Sequence, residues 1–236
     1  HLMKIGIFGI ESFSQGKENI IDERLDVLKK MFTSAKKVCI QAEVVVNKDD
    51  LKEADGIIAP ESHKADLILE DLEFVEIRLE RSADENEKKL LSRFKEQLDK
   101  EVFLSGLALN EEEKKLIAGY PLLTVKPVYL AKPEEIEDKN KLLASAYKNL
   151  GFISFFTAGE KDAHAWALKK GLNAWDAAGC IHSDIQKGFI RAEVIGYEDL
   201  VKDGGFNQAR NNNHLRLENK EYIVNDGDWM VFRFNK

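Results

Sequence analysis

Residues 4–10 (KIGIFGI) constrain the fold of this chain more than any other stretch. A compact apolar run closed by glycine suits a strand buried on both faces of a parallel sheet that then enters a turn. Such a strand needs helical cover, and residues 22–32 (DERLDVLKKMF) supply it, with Asp22 as N-cap and Leu25, Leu28 and Phe32 on one face. Residues 38–46 and 55–59 read as two further strands. Three strands and one helix within the first 60 residues predict a small α/β unit.

From residue 65 the hydrophobic period changes to that of a helix. Ile68, Leu72, Val75 and Leu79 form one stripe, Ser82 and Glu85 offer a capping box, and Leu90, Phe94 and Leu98 form a second stripe. The spacing predicts a helical hairpin over 65–102 whose charged outer faces are solvated surface. Asn110 and Glu113 open a short third helix that Gly119 and Pro121 close. Residues 124–131 (TVKPVYLA) return to strand character, so the helices read as an insertion into the α/β sheet. Residues 139–150 form another helix, with Leu142, Leu143, Ala146 and Leu150 inward and Gly151 at its end.

Beyond residue 151 the texture shortens. Strand candidates at 152–157, 165–168, 189–195, 215–217, 222–224 and 229–234 surround one helical stretch near 173–178. A mixed sheet wrapped on one helix is the β-grasp pattern.

The composition bounds the function. A length of 236 residues with 44% hydrophobic and 33% charged side chains gives a folded, soluble chain, with no run of about 18 apolar residues to span a membrane. The net charge of −7 excludes an overall basic nucleic-acid binder and leaves a local basic patch open; no DNA partner is indicated. Cys39 and Cys180 stand alone, which suits a reducing cytoplasm. No secretory signal is visible at residues 5–10, and His1 and Leu2, ahead of Met3, read as a non-native remnant. His63, His164, His182 and His214 are dispersed without metal-ligand spacing, so no metal is expected. His182-Ser183-Asp184 are adjacent in the chain and cannot converge as a triad, so they read as capping and loop-fixing residues. Glu134 and Glu135 read as an acidic surface pair.

Three longer segments carry a resemblance: residues 153–166 (ISFFTAGEKDAHAW), 177–194 (AAGCIHSDIQKGFIRAEV) and 222–235 (YIVNDGDWMVFRFN). They resemble the C-terminal TGS domain (DUF933-type) of the YchF, or Obg-like, P-loop NTPase family. Weaker similarity lies upstream in MKIGIFG (3–9), LKEADGII (51–58), LILEDLEFVEIRLER (67–81) and LLTVKPVYLA (122–131). The fold implied is α/β plus α+β: a truncated P-loop NTPase-like sheet over 3–64 and 120–150, a helical hairpin inserted over 65–119, and a β-grasp TGS domain over 151–236.

The family's nucleotide motifs are altered. A phosphate-binding loop has the form G-x-x-x-x-G-K-[ST], whereas here six residues separate Gly9 from Gly16-Lys17 and Glu18 stands at the hydroxyl position. Where the resemblance implies D-x-x-G the chain has Asn47-Lys48-Asp49-Asp50, and where it implies the base-reading Asn-x-x-Glu it has Lys132-Pro133-Glu134-Glu135. Lysine cannot supply the paired donor and acceptor of an amide. Gly9, Gly16 and Lys17 are thus a vestigial nucleotide site, no catalytic residue is assigned, and no cofactor is expected.

The leading expectation is a non-catalytic, cytoplasmic relative whose TGS domain binds RNA, the ribosome or a regulatory protein. Its contact candidates are Lys169, Lys170, His182, Lys187, Phe189 and Arg191, basic groups near an aromatic ring. The alternative is a nucleotide-binding protein or slow NTPase of the YchF/Obg family that takes Mg-ATP or Mg-GTP. A third reading makes the helical hairpin an interaction surface.

Overall fold

The computed structural model describes residues 2–235. In chain order the elements are β1 (Met3–Ile7), β2 (Gly16–Ile20), α1 (Arg24–Met31), β3 (Lys36–Val38), β4 (Ile40–Val45), α2 (Lys48–Leu51), β5 (Gly56–Pro60), α3 (Lys64–Arg81), α4 (Glu85–Asp99), α5 (Glu111–Ile117), β6 (Val128–Ala131), α6 (Pro133–Ile136), α7 (Lys139–Asn149), β7 (Phe152–Ala158), β8 (Asp162–Lys169), α8 (Ala174–Ile181), α9 (Ser183–Lys187), β9 (Phe189–Gly196), α10 (Tyr197–Asp203), α11 (Phe206–Asn211), β10 (Arg216–Glu218) and β11 (Asp228–Phe234). They make a mixed α/β molecule with two sheets.

Two compact units divide the described residues: 2–18 with 42–142, and 19–41 with 143–235. This division cuts across the expected boundaries, because residues 19–41 and 143–150 pack with the C-terminal part rather than with β1.

The first unit is built on a sheet of order β2-β4-β1-β5-β6, in which β4, β1, β5 and β6 are parallel. Strand β5 is buried throughout and β1 at every position but Lys4, as strands covered on both faces require. Gly6 lets the neighbouring side chains approach closely, since a Cβ there would lie 2.6 Å from the Ile57 Cδ1 and 2.9 Å from the Leu51 Cδ2, and both methyls would have to shift. Helices α3 and α4 form a hairpin whose core is Ile68, Val75, Leu90, Leu91, Phe94 and Leu98. Two buried carboxylates tie it down. Asp71 accepts from the Leu123 and Thr124 amides, both at 2.7 Å, and from the Thr124 hydroxyl at 2.6 Å. Glu87 accepts from Arg78 at 2.7 Å and from the Ser82 and Tyr120 hydroxyls.

The second unit has a sheet of order β10-β9-β11-β7-β8-β3. Its central pair, β11 and β7, is parallel, with Trp229 beside Phe156; β7–β8, β9–β11 and β9–β10 are antiparallel. Helix α8 packs Ala174 and Ala177 onto Phe155, Val194 and Met230. The short strand β3 adds itself parallel to β8, Lys36 beside Asp162. Phe32, one residue past α1, stacks on Trp229 with ring centroids 5.4 Å apart, and Phe206 meets the same indole at 5.3 Å.

Asp22 accepts from the Arg24 amide at 3.2 Å, the bond expected of a cap, one residue ahead of the Glu23 N-cap, and it also receives the Arg24 guanidinium at 2.7 and 2.9 Å. Two local expectations change. Residues 222–224 form one isolated bridge, Asn173 to Ile223, because their amides serve turns around α8. Residues read as connections between strands hold the short helices α10 and α11.

Candidate functional site

In an open parallel sheet, ligands settle outside the C-terminal ends of the strands, where successive connections leave in opposite directions. In this sheet that point is β1, which lies between β4 and β5. Gly9, two residues past β1, has φ +70°, and a Cβ on it would meet the His63 ring at 2.7 Å. His63 follows β5, stands edge-on to Phe8 with centroids 6.2 Å apart, and shares a 3.1 Å hydrogen bond with the Ser62 hydroxyl.

Gly16 and Lys17 do not join this corner as a phosphate cradle. Both lie in β2, the outer strand of the sheet, and Lys17 is exposed. Among the described residues no helix starts between β1 and β2. A cradle of backbone N–H groups at a helix N-terminus, which holds phosphates in such sites, is therefore not formed here by residues 9–17. Glu18 is occupied by Lys139, which also stands 5.0 Å above the Phe13 ring. Asn47 bonds Gln15 and Asp50 at the start of α2. Residues 132–135 form the first turn of α6. Glu135 turns back onto the Lys132 amide at 2.9 Å and takes the Tyr129 hydroxyl at 2.5 Å, which together hold its carboxyl below the usual range.

The basic candidates of the second unit fall into two groups. Lys169 and Lys170 lie where β8 ends ahead of α8, and the β7–β8 turn is at the other end of the strand. Lys169 sits 5.9 Å above the Phe152 ring. His182, Lys187, Phe189 and Arg191 belong to α9 and β9. His182 caps α9, its Nδ1 accepting from the Asp184 amide at 3.1 Å, so the His-Ser-Asp run does fix a helix start. Phe189 is half-buried and edge-on to Phe232 at 6.1 Å, which makes it part of the core rim rather than an open stacking platform. With Trp229 beside Phe156 in the parallel pair, and Phe189 beside Phe234 at the far end of β11, the two groups lie at opposite ends of the sheet, roughly 30 Å apart.

Two features escaped the sequence reading. Arg233 is the cross-strand partner of Arg191, and both are exposed; Arg233 is held by Glu193 at 2.9 Å, and Arg191 makes no ion pair among the described residues. Like charges directly opposite destabilise a ladder, and an anionic partner relieves them. At the other end of the sheet is a pocket of about 340 Å³ lined by Lys148, Phe152, Lys170, Ile223 and Asp226 among others. Its walls come from four separate segments, so no local motif announces it.

The family model described as YchF-GTPase_C, a protein of unknown function (DUF933), matches residues 152–235. The ribosome-binding ATPase YchF of Bacillus subtilis (strain 168) is 50% identical over 96 residues, 41% of this chain and 26% of that protein. The ribosome-binding ATPase YchF of Escherichia coli O157:H7 is 45% identical over the same length, and Obg-like ATPase 1 of Pongo abelii is 42% identical over 95 residues. The matched segment thus spans about a quarter of these relatives. The fold as a whole is similar to the solved Schizosaccharomyces pombe YchF GTPase, with TM-score 0.75 and 18% identity over 98% of this chain and 97% of that one. Residues 152–235 thus match the C-terminal segment of the YchF family.

Proposed function

We propose that this protein works at the ribosome, in the cytoplasm, and that its second unit is a β-grasp TGS module which makes the contact. The observation that carries this is the location of the likeness: the segment that matches the YchF-GTPase_C model, residues 152–235, supplies five of the six strands of this sheet, and relatives named ribosome-binding are 45–50% identical to this chain over 96 residues. The strand order, with a parallel central pair flanked by antiparallel neighbours and crossed by one helix, supports the β-grasp reading. Lys187, Arg191 and Arg233, at one end of the sheet, supply cationic groups for RNA phosphates. Cosedimentation of the full chain with ribosomes tests it. Pelleting that falls several-fold in Lys187→Glu/Arg191→Glu and weakens with salt is expected, and a protein that stays in the supernatant at low salt overturns it.

The relatives' names favour a second reading, ATP or GTP binding of the YchF/Obg type, and the likeness to a YchF GTPase along nearly the whole chain supports it. The residues around Lys17 do not fit the usual phosphate cradle, so on this reading nucleotide rests at the β1 corner near Gly9 and His63 and owes nothing to Lys17. Calorimetric titration with Mg-ATP and Mg-GTP decides. A flat trace retires it, saturable binding retained in Lys17→Ala supports it, and binding lost in Lys17→Ala restores the ordinary phosphate loop.

A further inference from the structure

The pocket at the β7 start differs from the other basic surface of the second unit in having an apolar floor. Phe152, Ile153 and Val224 line it, Ile223 stands beside them 53% exposed, and Leu172 and Trp175 on the adjoining segment are 38% and 42% exposed. Backbone bonds join these segments, Val224 amide to Leu172 carbonyl at 3.1 Å and Trp175 amide to Lys220 carbonyl at 3.2 Å, so the apolar surface is carried on paired chain.

The polar groups of the pocket are already committed. Asp226 accepts from Arg24 at 2.8 and 3.0 Å and from the Ser154 amide at 2.9 Å. Asn225 donates its amide N–H to Asp228 at 2.9 Å and its side-chain N–H to Tyr222 at 2.8 Å. What remains is cationic: Lys148, in the last turn of α7, and Lys170 make no ion pair among the described residues. A nucleobase needs unspent donors and acceptors for its edges, and this floor has few to give. An apolar side chain needs none, and carboxylates on either side of it meet the two lysines.

We propose that this pocket docks an extended acidic protein segment, one large apolar side chain filling the floor while flanking Asp or Glu residues pair with Lys148 and Lys170. Shape follows the usual division of an interface, with an apolar anchor in a desolvated centre and charges at the rim. The inference stands apart from the ribosome reading, because its test uses a free peptide.

The test is fluorescence anisotropy of the full chain with a short labelled peptide carrying one phenylalanine between aspartates and glutamates. A matched peptide with alanine in its place and an oligouridine of equal length serve as comparisons. Saturable binding of the phenylalanine peptide is expected, at least tenfold weaker for the alanine peptide, for Ile223→Asp and for Lys148→Glu/Lys170→Glu, with thermal melts confirming that both variants remain folded. Absence of saturable binding, equal binding in both variants, or oligouridine binding as tightly as the peptide overturns the proposal.

Discussion

Arg24 and Asp226, 202 residues apart in the chain, are joined by two hydrogen bonds of 2.8 and 3.0 Å. The same guanidinium grips Asp22 at 2.7 and 2.9 Å and lies 5.2 Å over the Phe156 ring. One side chain therefore fixes the segment carrying α1 to the β7–β11 centre of the second unit. Burial works to raise the Asp22 carboxyl, and the Arg24 hydrogen bonds outweigh it, leaving the group below its usual value.

Arg24→Ala leaves two carboxylates facing each other without their cation, and it is expected to cost about 2–4 kcal/mol in urea unfolding. Arg24→Lys recovers less than half of this, because a single ammonium cannot reproduce the fork to two acids. A variant as stable as the parent shows that the link contributes nothing.

Two buried carboxylates of the helical hairpin respond to acid with opposite signs. Hydrogen bonds from Arg78, Ser82 and Tyr120 hold Glu87 down at about 2. Its contribution is complete above the unfolded value of about 4.3 and is lost as pH falls from there through the folded value. Burial pushes Asp71 up in spite of its three hydrogen bonds, so its contribution falls as pH rises from about 3.9 through the raised folded value. Glu87→Gln should lower stability near pH 7 by about 2 kcal/mol and flatten the acid limb between pH 4.3 and 2. Thermal melts across that range would show it, and an unchanged acid limb counts against the Glu87 network.

Gly188, at the end of α9, leaves no room for a side chain: a Cβ there would lie 2.1 Å from the Asn235 carbonyl oxygen. That contact is backbone against backbone, with the Asn235 amide bonded to the Gly188 carbonyl at 2.9 Å, so no rotamer relieves it. Gly188→Ala is expected to cost about 1–3 kcal/mol and to free the end of β11, seen as faster amide exchange at Arg233 and Phe234. Unchanged exchange there would refute the close approach.

At the β1 corner, Gly9→Ala combines a left-handed backbone with a collision against His63. A loss of about 1–2 kcal/mol is expected. In a double-mutant cycle with His63→Ala only the collision is recovered, so a positive coupling of roughly 0.5–1 kcal/mol marks the contact and strict additivity denies it.

The legible parts of this fold are those written in side chains. The apolar run at 4–10, the stripes through Ile68 and Phe94, and the strands at 152–157 and 229–234 each leave a period in the sequence, and each became an element. Strand β3 left none: Lys36, Lys37 and Val38 join β8 through backbone hydrogen bonds, which any residues can make. The helices α10 and α11 are too short and too polar for a helical stripe to stand out. Lys17 was readable as a departure from a phosphate loop, but its place in a strand was not, since Gly-Lys-Glu carries no pattern of its own. Arg191 was found from sequence; its neighbour Arg233 was not, because cross-strand register is set by the whole sheet.

The pairing of Lys36 with Asp162 also orders events in time. Residues 19–41 leave a synthesising ribosome before β11, and the sheet they join is not complete until β11 has followed. Until then the segment of α1 and β3 waits with Leu25, Leu28 and Phe32 uncovered and Arg24 without Asp226. Because chain closure over such separations is slow and exposed apolar segments aggregate, translation pauses ahead of β11, or truncations that remove it, strike first at residues 19–41.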